Sequence, residues 1–186
     1  MSENLRNYTK AVYTMDAVVQ RVPDSVWDQQ SPCELWSAKQ VLGHFMRAAH
    51  HVAAAASGQS GPDERSEAEV AGPDPKATWA SSRDALLAAL DHEGALAQTF
   101  NSPFGPGTVD DFLAIHAMDC ILHTWDIAKT AGIDACLPAD MAAAGAAGLA
   151  SFGDAVRGPG LFGPAVDVAS DDPVARLIAI AGRNPN

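Results

Sequence analysis

Apolar residues recur three and four positions apart near the start of the chain, which is the spacing of one face of an α-helix. Such a stripe has to be buried against a partner, and Pro23 cannot continue the helix that carries it. The pattern therefore predicts a first helix that ends at Pro23 and packs into a helical core. The residues of the stripe are Leu5, Tyr8, Val12, Met15, Val19 and Val22.

Three further segments, 37–58, 76–98 and 108–132, keep a helical period between recognisable start and stop residues. Ser37 and Gln40 form a capping-box pattern at the start of the first of these segments. The sequence NSPFGPG separates the other two. Four long amphipathic helices with almost no strand signal predict an all-α four-helix bundle.

Shorter elements are predicted beyond residue 132. A fifth helix begins at Pro138, and a last one runs from Asp172 to about Gly182. Residues 165–169 alternate in polarity, which is typical of a short extended segment.

The length of 186 residues suits a single domain covering 1–186. Within it, residues 58–75 are rich in Gly, Pro, Ser and acidic side chains, so they are expected to form an exposed connector. Residues 158–186 are expected to form a C-terminal extension.

Composition and charge limit the classes of binding partner and indicate the cellular compartment. A formal charge of −11 repels nucleic acid and anionic membrane surfaces, so neither is expected as a partner. No apolar run has transmembrane length, and the first ten residues are too polar for a signal peptide, so the cytoplasm is the expected compartment. The odd count of cysteines, without C-x-x-C spacing, predicts free thiols. These cysteines are Cys33, Cys120 and Cys136. A homodimer is compatible with the sequence.

The fourth helix carries a polar stripe between apolar flanks, formed by His116, Asp119, His123 and Asp126. Buried ionisable groups must be paired, neutralised or bound to a metal. Asp119 and His123 lie about 6 Å apart along the helix axis, so their tips can converge on one ion, whereas His116 and His123 lie about 10.5 Å apart. A third ligand must then come from another helix. His44 is the best candidate, because it lies at the shoulder of the apolar stripe of the second helix.

Two imidazoles and one carboxylate with open positions suit zinc, nickel or iron(II), with zinc favoured as a catalytic ion. The competing interpretation is a buried Asp119–His123 hydrogen-bonded pair without metal. His116 is the candidate catalytic residue, as a general base, a substrate contact or an alternative ligand, and a satisfied core histidine is the alternative. Trp36 and Trp125 are expected to pack in the core, with the lining of a pocket as the alternative for either. Asp126 is expected to make a structural hydrogen bond or to orient a ligand.

The segments SPCELWSAKQVLGH, DCILHTWDIAKTAG and LIAIAGRNP resemble the DinB-like superfamily, in the branch related to the N-terminal domain of mycothiol-dependent maleylpyruvate isomerase. The resemblance implies a four-helix bundle that holds a divalent metal, with His44, Asp119 and His123 as its ligands. It also implies a metal that activates a low-molecular-weight thiol such as mycothiol. This sequence carries Asp119 where relatives more often carry Glu or His.

The function that the resemblance implies is a thiol S-transferase or thiol-assisted isomerase acting on a small electrophile. Two other classes stay open. One is a metal-free enzyme of secondary metabolism that uses His116, Asp119 or His123 for acid–base chemistry. The other is a non-catalytic ligand-binding or stress-response protein that has kept the pocket.

Overall fold

A computed structural model describes residues 1–59, 63–102, 105–157 and 162–186, with the side chain of residue 102 left aside. Small parts of three predicted segments therefore lie outside the described residues. They are 60–62 in the connector 58–75, 103–104 in the break between two helices, and 158–161 in the extension 158–186.

Four long helices dominate the first part of the chain. α1 packs along α5, α2 packs against both α4 and α5, and α1 also contacts α4. This arrangement confirms the predicted all-α four-helix bundle. The helices are α1 Glu3–Val19, α2 Ala38–Ala56, α4 Pro75–Leu90 and α5 Val109–Ala131, with the short α3 Glu67–Ala71 between α2 and α4.

Large apolar side chains from all four helices fill the interior of the bundle and are almost completely removed from water, which supplies the main driving force for packing the helices together. The largest of them are Tyr8, Met15, Leu42, Phe45, Met46, Trp79, Leu86, Leu113, Ile121, Leu122 and Ile127.

Capping residues fix where the site-bearing helices begin. Ser37 accepts a hydrogen bond from the backbone of Gln40, whose side chain in turn accepts from the backbone of Ser37. Thr108 and Asp111 form the equivalent box at the start of α5, and Gly132 ends α5 in the left-handed region at φ 65°. Each box pairs backbone N–H groups that the helix itself leaves without a partner.

Several segments differ from the sequence-based expectation, and α1 ends at Val19 rather than at Pro23. The connector contains α3, whose first turn is capped by Ser66 and Glu69. The predicted third helix stops at Leu90 rather than near residue 98, because the chain turns at Gly94, where φ is 79°.

A 3-10 turn at Ala95–Ala97 follows Gly94 and leads into a small antiparallel sheet of β1 Thr99–Ser102 and β2 Gly105–Thr108. Thr99 lies opposite Thr108 in this sheet. Each strand has only four residues, and β2 is rich in Gly and Pro, so neither strand shows the alternation that would have predicted it.

The contacts divide the chain into two compact units, Met1–Asp134 and Ala135–Asn186. The second unit contains α6 Ala139–Phe152, a 3-10 turn at Gly153–Val156 and α7 Pro173–Ile180. The predicted extension therefore belongs to a larger unit that includes α6, and the assignment of 1–186 to one domain stays a prediction.

The predicted extended segment at 165–169 is not a strand. Its Val166 N–H donates to the carbonyl of Ala179 at the end of α7, and no strand is paired with it in the described part of this unit. None of the helices in the described part of the chain combines the length and apolar character that crossing a bilayer requires.

Gly43 is where α2 and α3 approach most closely, and its replacement by alanine is expected to destabilise the bundle. A Cβ at this position would overlap the backbone oxygen of Glu67, the first residue of α3. Overpacking of this kind lowers the free energy of unfolding by about 1–3 kcal/mol. Urea unfolding followed by far-ultraviolet circular dichroism measures the change.

Gly148→Ala is the matched control, because this helical glycine has open space around its Cβ position. Alanine there is expected to be neutral or to raise the free energy of unfolding by up to about 1 kcal/mol through its helix propensity. Equal urea midpoints for Gly43→Ala and the wild type would contradict the close packing of α2 against α3.

Candidate metal centre

The polar stripe predicted on the fourth helix lies on α5 and faces the interior of the bundle. His116 is 2% exposed, His123 4% and Asp126 0%. The Asp119 side chain is 26% exposed and therefore marks the open edge of the stripe. The interpretation of this stripe as a buried polar face agrees with the structure.

His44, Asp119 and His123 meet between α2 and α5. Each offers one ligand atom, and the three atoms lie within 4.8 Å of one another. His123 Nε2 is 3.3 Å from Asp119 Oδ1, and the rings of His44 and His123 have centroids 5.1 Å apart. The structure thus brings together the three residues predicted as ligands, while the binding of a metal by them stays a prediction.

Asp126 fixes the orientation of the His123 ring. Its Oδ2 lies 3.0 Å from His123 Nδ1, one turn further along α5. The Nδ1–H donates to this fully buried carboxylate and leaves Nε2 facing Asp119. A carboxylate that accepts from the far nitrogen of a histidine commonly orients that histidine towards a metal. The structure therefore confirms the structural hydrogen bond of Asp126, while its role in orienting a metal ligand stays a prediction.

The two histidines of the group have opposite proton affinities in the metal-free protein. Burial lowers the pKa of His44 to about 4. Burial would also lower the pKa of His123, but the carboxylates of Asp119 and Asp126 raise it to about 9. Conversely, burial would raise the pKa of Asp119, and the charge of His123 holds it below its usual range. Near pH 7, His44 is thus neutral and ready to donate a lone pair, whereas His123 must release a proton to bind an ion.

Trp36 covers the group on the side of α2. Its ring stacks on His44 with centroids 4.4 Å apart, and its edge approaches His123 at 6.1 Å. The backbone carbonyl of Trp36 accepts from Ser31 N and Oγ and from Gln30 Nε2, which pins the loop before α2.

Core packing was favoured for Trp36 and Trp125, with the lining of a pocket as the alternative, but both side chains are half-buried. Trp36 lies against the candidate ligands, whereas Trp125 packs beneath the ammonium group of Lys129, 5.8 Å from its ring centroid. In the sequence, Trp36 lies directly before the N-cap of the helix that carries His44, and this position was the signal that could have indicated the contact.

His116 lies one turn before Asp119 and is not part of the group of convergent ligand atoms in the described residues. Its Nδ1 is 3.0 Å from the hydroxyl oxygen of Tyr8 on α1. Its ring stacks on Phe45 with centroids 4.5 Å apart. These contacts are those of a packed interior residue, but its Nε2 is buried without a hydrogen-bond partner.

Cys120 is fully buried within α5. Burial raises the pKa of this thiol well above its usual value, and the nearby carboxylate of Asp119 raises it further. The thiol is therefore protonated at neutral pH, and the geometry gives it no support as a nucleophile. None of the three cysteines forms a disulfide, as the sequence predicted.

A model of the mycothiol maleylpyruvate isomerase N-terminal domain matches residues 8–128. This stretch is more than half of the chain and contains all three candidate ligands. The chain belongs to this family. The resemblance drawn from the sequence segments is thereby confirmed.

Solved structures of a mycothiol-dependent maleylpyruvate isomerase have the same fold. One is a crystal structure of the enzyme, with a TM-score of 0.63 at 16% identity. The other is a histidine-to-alanine mutant of that isomerase, with a TM-score of 0.63 at 15% identity. In both cases the alignment covers 85% of this chain and 73% of the other. No curated protein matches the chain.

Proposed function

We propose that this protein binds a divalent metal through His44, Asp119 and His123 and uses it, with a low-molecular-weight thiol, to transform a small electrophile. Zinc is the favoured ion, with nickel and iron(II) as alternatives, and the thiol is mycothiol or a related compound. The reaction is S-transfer or thiol-assisted isomerisation. The observation that carries the proposal is the convergence of the three ligand atoms in a family named for a mycothiol-dependent isomerase.

The residues present fit a metal. Two imidazoles and one carboxylate form a donor set typical of catalytic zinc and of other first-row divalent ions. His44 Nδ1 is buried without a hydrogen-bond partner, which is a cost that a ligand at the site can remove. Asp126 supplies the orienting hydrogen bond that metal-binding histidines usually have.

Each residue has a separate task in this proposal. His44, Asp119 and His123 hold the ion, and Asp126 keeps the His123 ring in place. Bound zinc would lower the pKa of a thiol beside it and polarise a carbonyl group.

Trp36 and His116 complete the proposed site. The Trp36 ring, stacked on His44, limits the access of water from the side of α2. His116 is the residue proposed to contact the electrophile. The reaction is proposed to take place in the cytoplasm, where small thiols and cysteines that form no disulfide stay reduced.

A metal-free function is the second candidate, and the direct pairing of His123 favours it. His123 lies 3.3 Å from Asp119 and 3.0 Å from Asp126, so two carboxylates satisfy it without an ion. A histidine held between two carboxylates can exchange protons with a substrate as a general acid or base. In this alternative, the group would catalyse proton transfer on a small molecule.

The test measures thiol reactivity in the zinc-loaded protein at pH 7. A free thiol with a pKa near 8.5 is only a few per cent ionised there, so full ionisation raises the thiolate concentration by roughly thirtyfold. Mycothiol is mixed with chlorodinitrobenzene to detect transfer, and with maleylpyruvate to detect isomerisation. We expect at least one reaction to run about ten times faster or more than with the thiol alone.

Two variants separate the site from the rest of the protein. His123→Ala is expected to abolish the acceleration, whereas His92→Ala, which alters an exposed histidine, is expected to leave it unchanged. Zinc-loaded protein that accelerates neither reaction would contradict the proposed thiol chemistry. Acceleration that survives both removal of zinc and His123→Ala would place the reaction elsewhere.

A further inference from the structure

His116 carries an unpaired polar atom in the interior of the bundle. The residue is 2% exposed, and its Nε2 has no hydrogen-bond partner. Its ring lies against Phe45, Phe112 and Tyr8, with centroid distances of 4.5, 5.3 and 5.3 Å. Buried polar groups are paired in the great majority of cases, so an exception at a candidate site points to a missing ligand.

Tyr8 determines which nitrogen of His116 carries the proton. Burial raises the pKa of Tyr8 well above its usual value, so the phenol keeps its hydrogen. The 3.0 Å contact between the phenol oxygen and His116 Nδ1 allows that hydrogen to be donated to Nδ1, and this is the direction that we assign. Burial lowers the pKa of His116 to about 4, so the ring is neutral near pH 7. A neutral ring that accepts at Nδ1 donates at Nε2.

His116 shares one stripe of α5 with two of the candidate ligands. His116 and Asp119 are three positions apart on α5, which is about 4.5 Å along the axis. They lie on the same stripe as His123. The charges of Asp119, His44 and His123 all act on His116, as expected of groups that share one interior space. The Nε2 edge of the ring faces away from Tyr8, because Nδ1 occupies the side towards α1.

We propose that the Nε2–H of His116 donates a hydrogen bond to a carbonyl or carboxylate oxygen of the electrophile, and that Tyr8 is the positioning residue that fixes this polarity. The inference rests on the proposed function and deepens it, because it defines the substrate as a molecule with an acceptor oxygen on this side. A neutral donor among aromatic rings recognises an acceptor oxygen and rejects groups that can only donate.

The test follows a small acceptor molecule directly, without thiol or turnover. Pyruvate, which has both carbonyl and carboxylate oxygens, is titrated into metal-free and zinc-loaded protein labelled with ¹⁵N in its histidine rings. The ¹⁵N shifts of His116 are expected to show the Nε2–H tautomer, and Nε2 is expected to shift on addition of pyruvate. Tyr8→Phe is expected to give a mixture of tautomers, whereas Tyr13→Phe, an exposed tyrosine on the same helix, is expected to change nothing.

Substitutions of His116 test the donor itself. His116→Phe suits the aromatic surroundings but is expected to weaken pyruvate binding by about tenfold, with the zinc stoichiometry unchanged. His116→Gln places an amide donor near the position of Nε2 and is expected to restore most of the affinity. In His116→Phe the hydroxyl group of Tyr8 loses its hydrogen-bond partner. The double variant Tyr8→Phe/His116→Phe removes this hydroxyl group as well, so it separates the loss of the donor from damage to the fold.

Three results would overturn the inference. The first is an Nδ1–H tautomer of His116 in the wild type, and the second is the absence of pyruvate binding by both metal-free and zinc-loaded wild type. The third is equal pyruvate binding by the wild type, His116→Phe and Tyr8→Phe/His116→Phe. None of these readouts depends on thiol chemistry. A protein without thiol activity that still binds pyruvate through His116 Nε2 would therefore contradict the proposed function and leave this inference standing.

Discussion

Alanine at Asp119 or His123 is expected to abolish the retention of the divalent metal that we propose for this protein. Each substitution removes one of the three proposed protein ligands, and a two-ligand site binds zinc far more weakly than a three-ligand site. Protein without an affinity tag, purified without chelators, is expected to contain about one equivalent of metal by elemental analysis. The two alanine variants, and His44→Ala, are expected to contain almost none.

Two further variants show whether the loss of metal results from the removal of a ligand. Asp126→Asn leaves all three ligands in place but weakens the hydrogen bond that orients His123, so metal affinity is expected to fall by roughly 10–100-fold. His92→Ala is expected to retain the full equivalent. Wild-type protein that stays metal-free after zinc or nickel is added back would rule out the metal centre and favour the metal-free alternative.

The convergence of the three candidate ligands could be predicted because local periodicity places these residues. Asp119 and His123 are four residues apart on one helix, and this spacing alone brings their side chains to a common point. His44 lies at the edge of the apolar stripe of α2, so its ring had to point inward once α2 was packed. These inferences need only the helix period and the rule that apolar faces are buried.

The surroundings of the ligands could not be predicted, because they depend on contacts between distant parts of the chain. Tyr8 and His116 are 108 positions apart, and their hydrogen bond exists only because α1 packs along α5. The periodicity of α1 identified Tyr8 as buried but not its partner. The stacking of Trp36 on His44 likewise depends on the course of an irregular loop, and a loop has no hydrophobic period from which the contact could be predicted.

The short helix α3 could not be predicted for a different reason. α3 spans only Glu67–Ala71, a single turn and a half at 3.6 residues per turn, so it cannot establish an amphipathic pattern. It exists because Gly43 lets its backbone approach α2 closely. A glycine in the middle of an amphipathic helix was the only trace of this contact in the sequence.

The metal-free protein is expected to lose stability as the pH falls below about 6.5, because the fold contains histidines that are held neutral. The pKa of His116 is lowered from 6.5 to about 4 by burial, so the unfolded chain binds a proton that the folded protein refuses. The stability that this residue contributes is complete above pH 6.5 and is lost as the pH falls towards 4. A shift of this size corresponds to roughly 3 kcal/mol for a fully buried group. His44 acts in the same direction.

Urea unfolding in EDTA at pH 4.5, 6.5 and 9 measures this dependence. The Tyr8→Phe/His116→Phe variant is expected to lose less stability between pH 6.5 and 4.5 than the wild type, because it has no histidine to protonate at this position. A wild-type profile that is flat over this range would show that His116 is solvated or paired in the folded protein.

His123 is expected to produce the opposite dependence on the alkaline side. Its pKa is raised to about 9 by the carboxylates of Asp119 and Asp126, which overcome the effect of burial. The stability that it contributes is therefore complete below pH 6.5 and is lost as the pH rises through 9. Zinc competes with the proton for this residue, so saturating zinc should remove the alkaline loss while raising stability overall. An alkaline loss that zinc does not change would mean that the ion binds without displacing the proton of His123, which contradicts its assignment as a ligand.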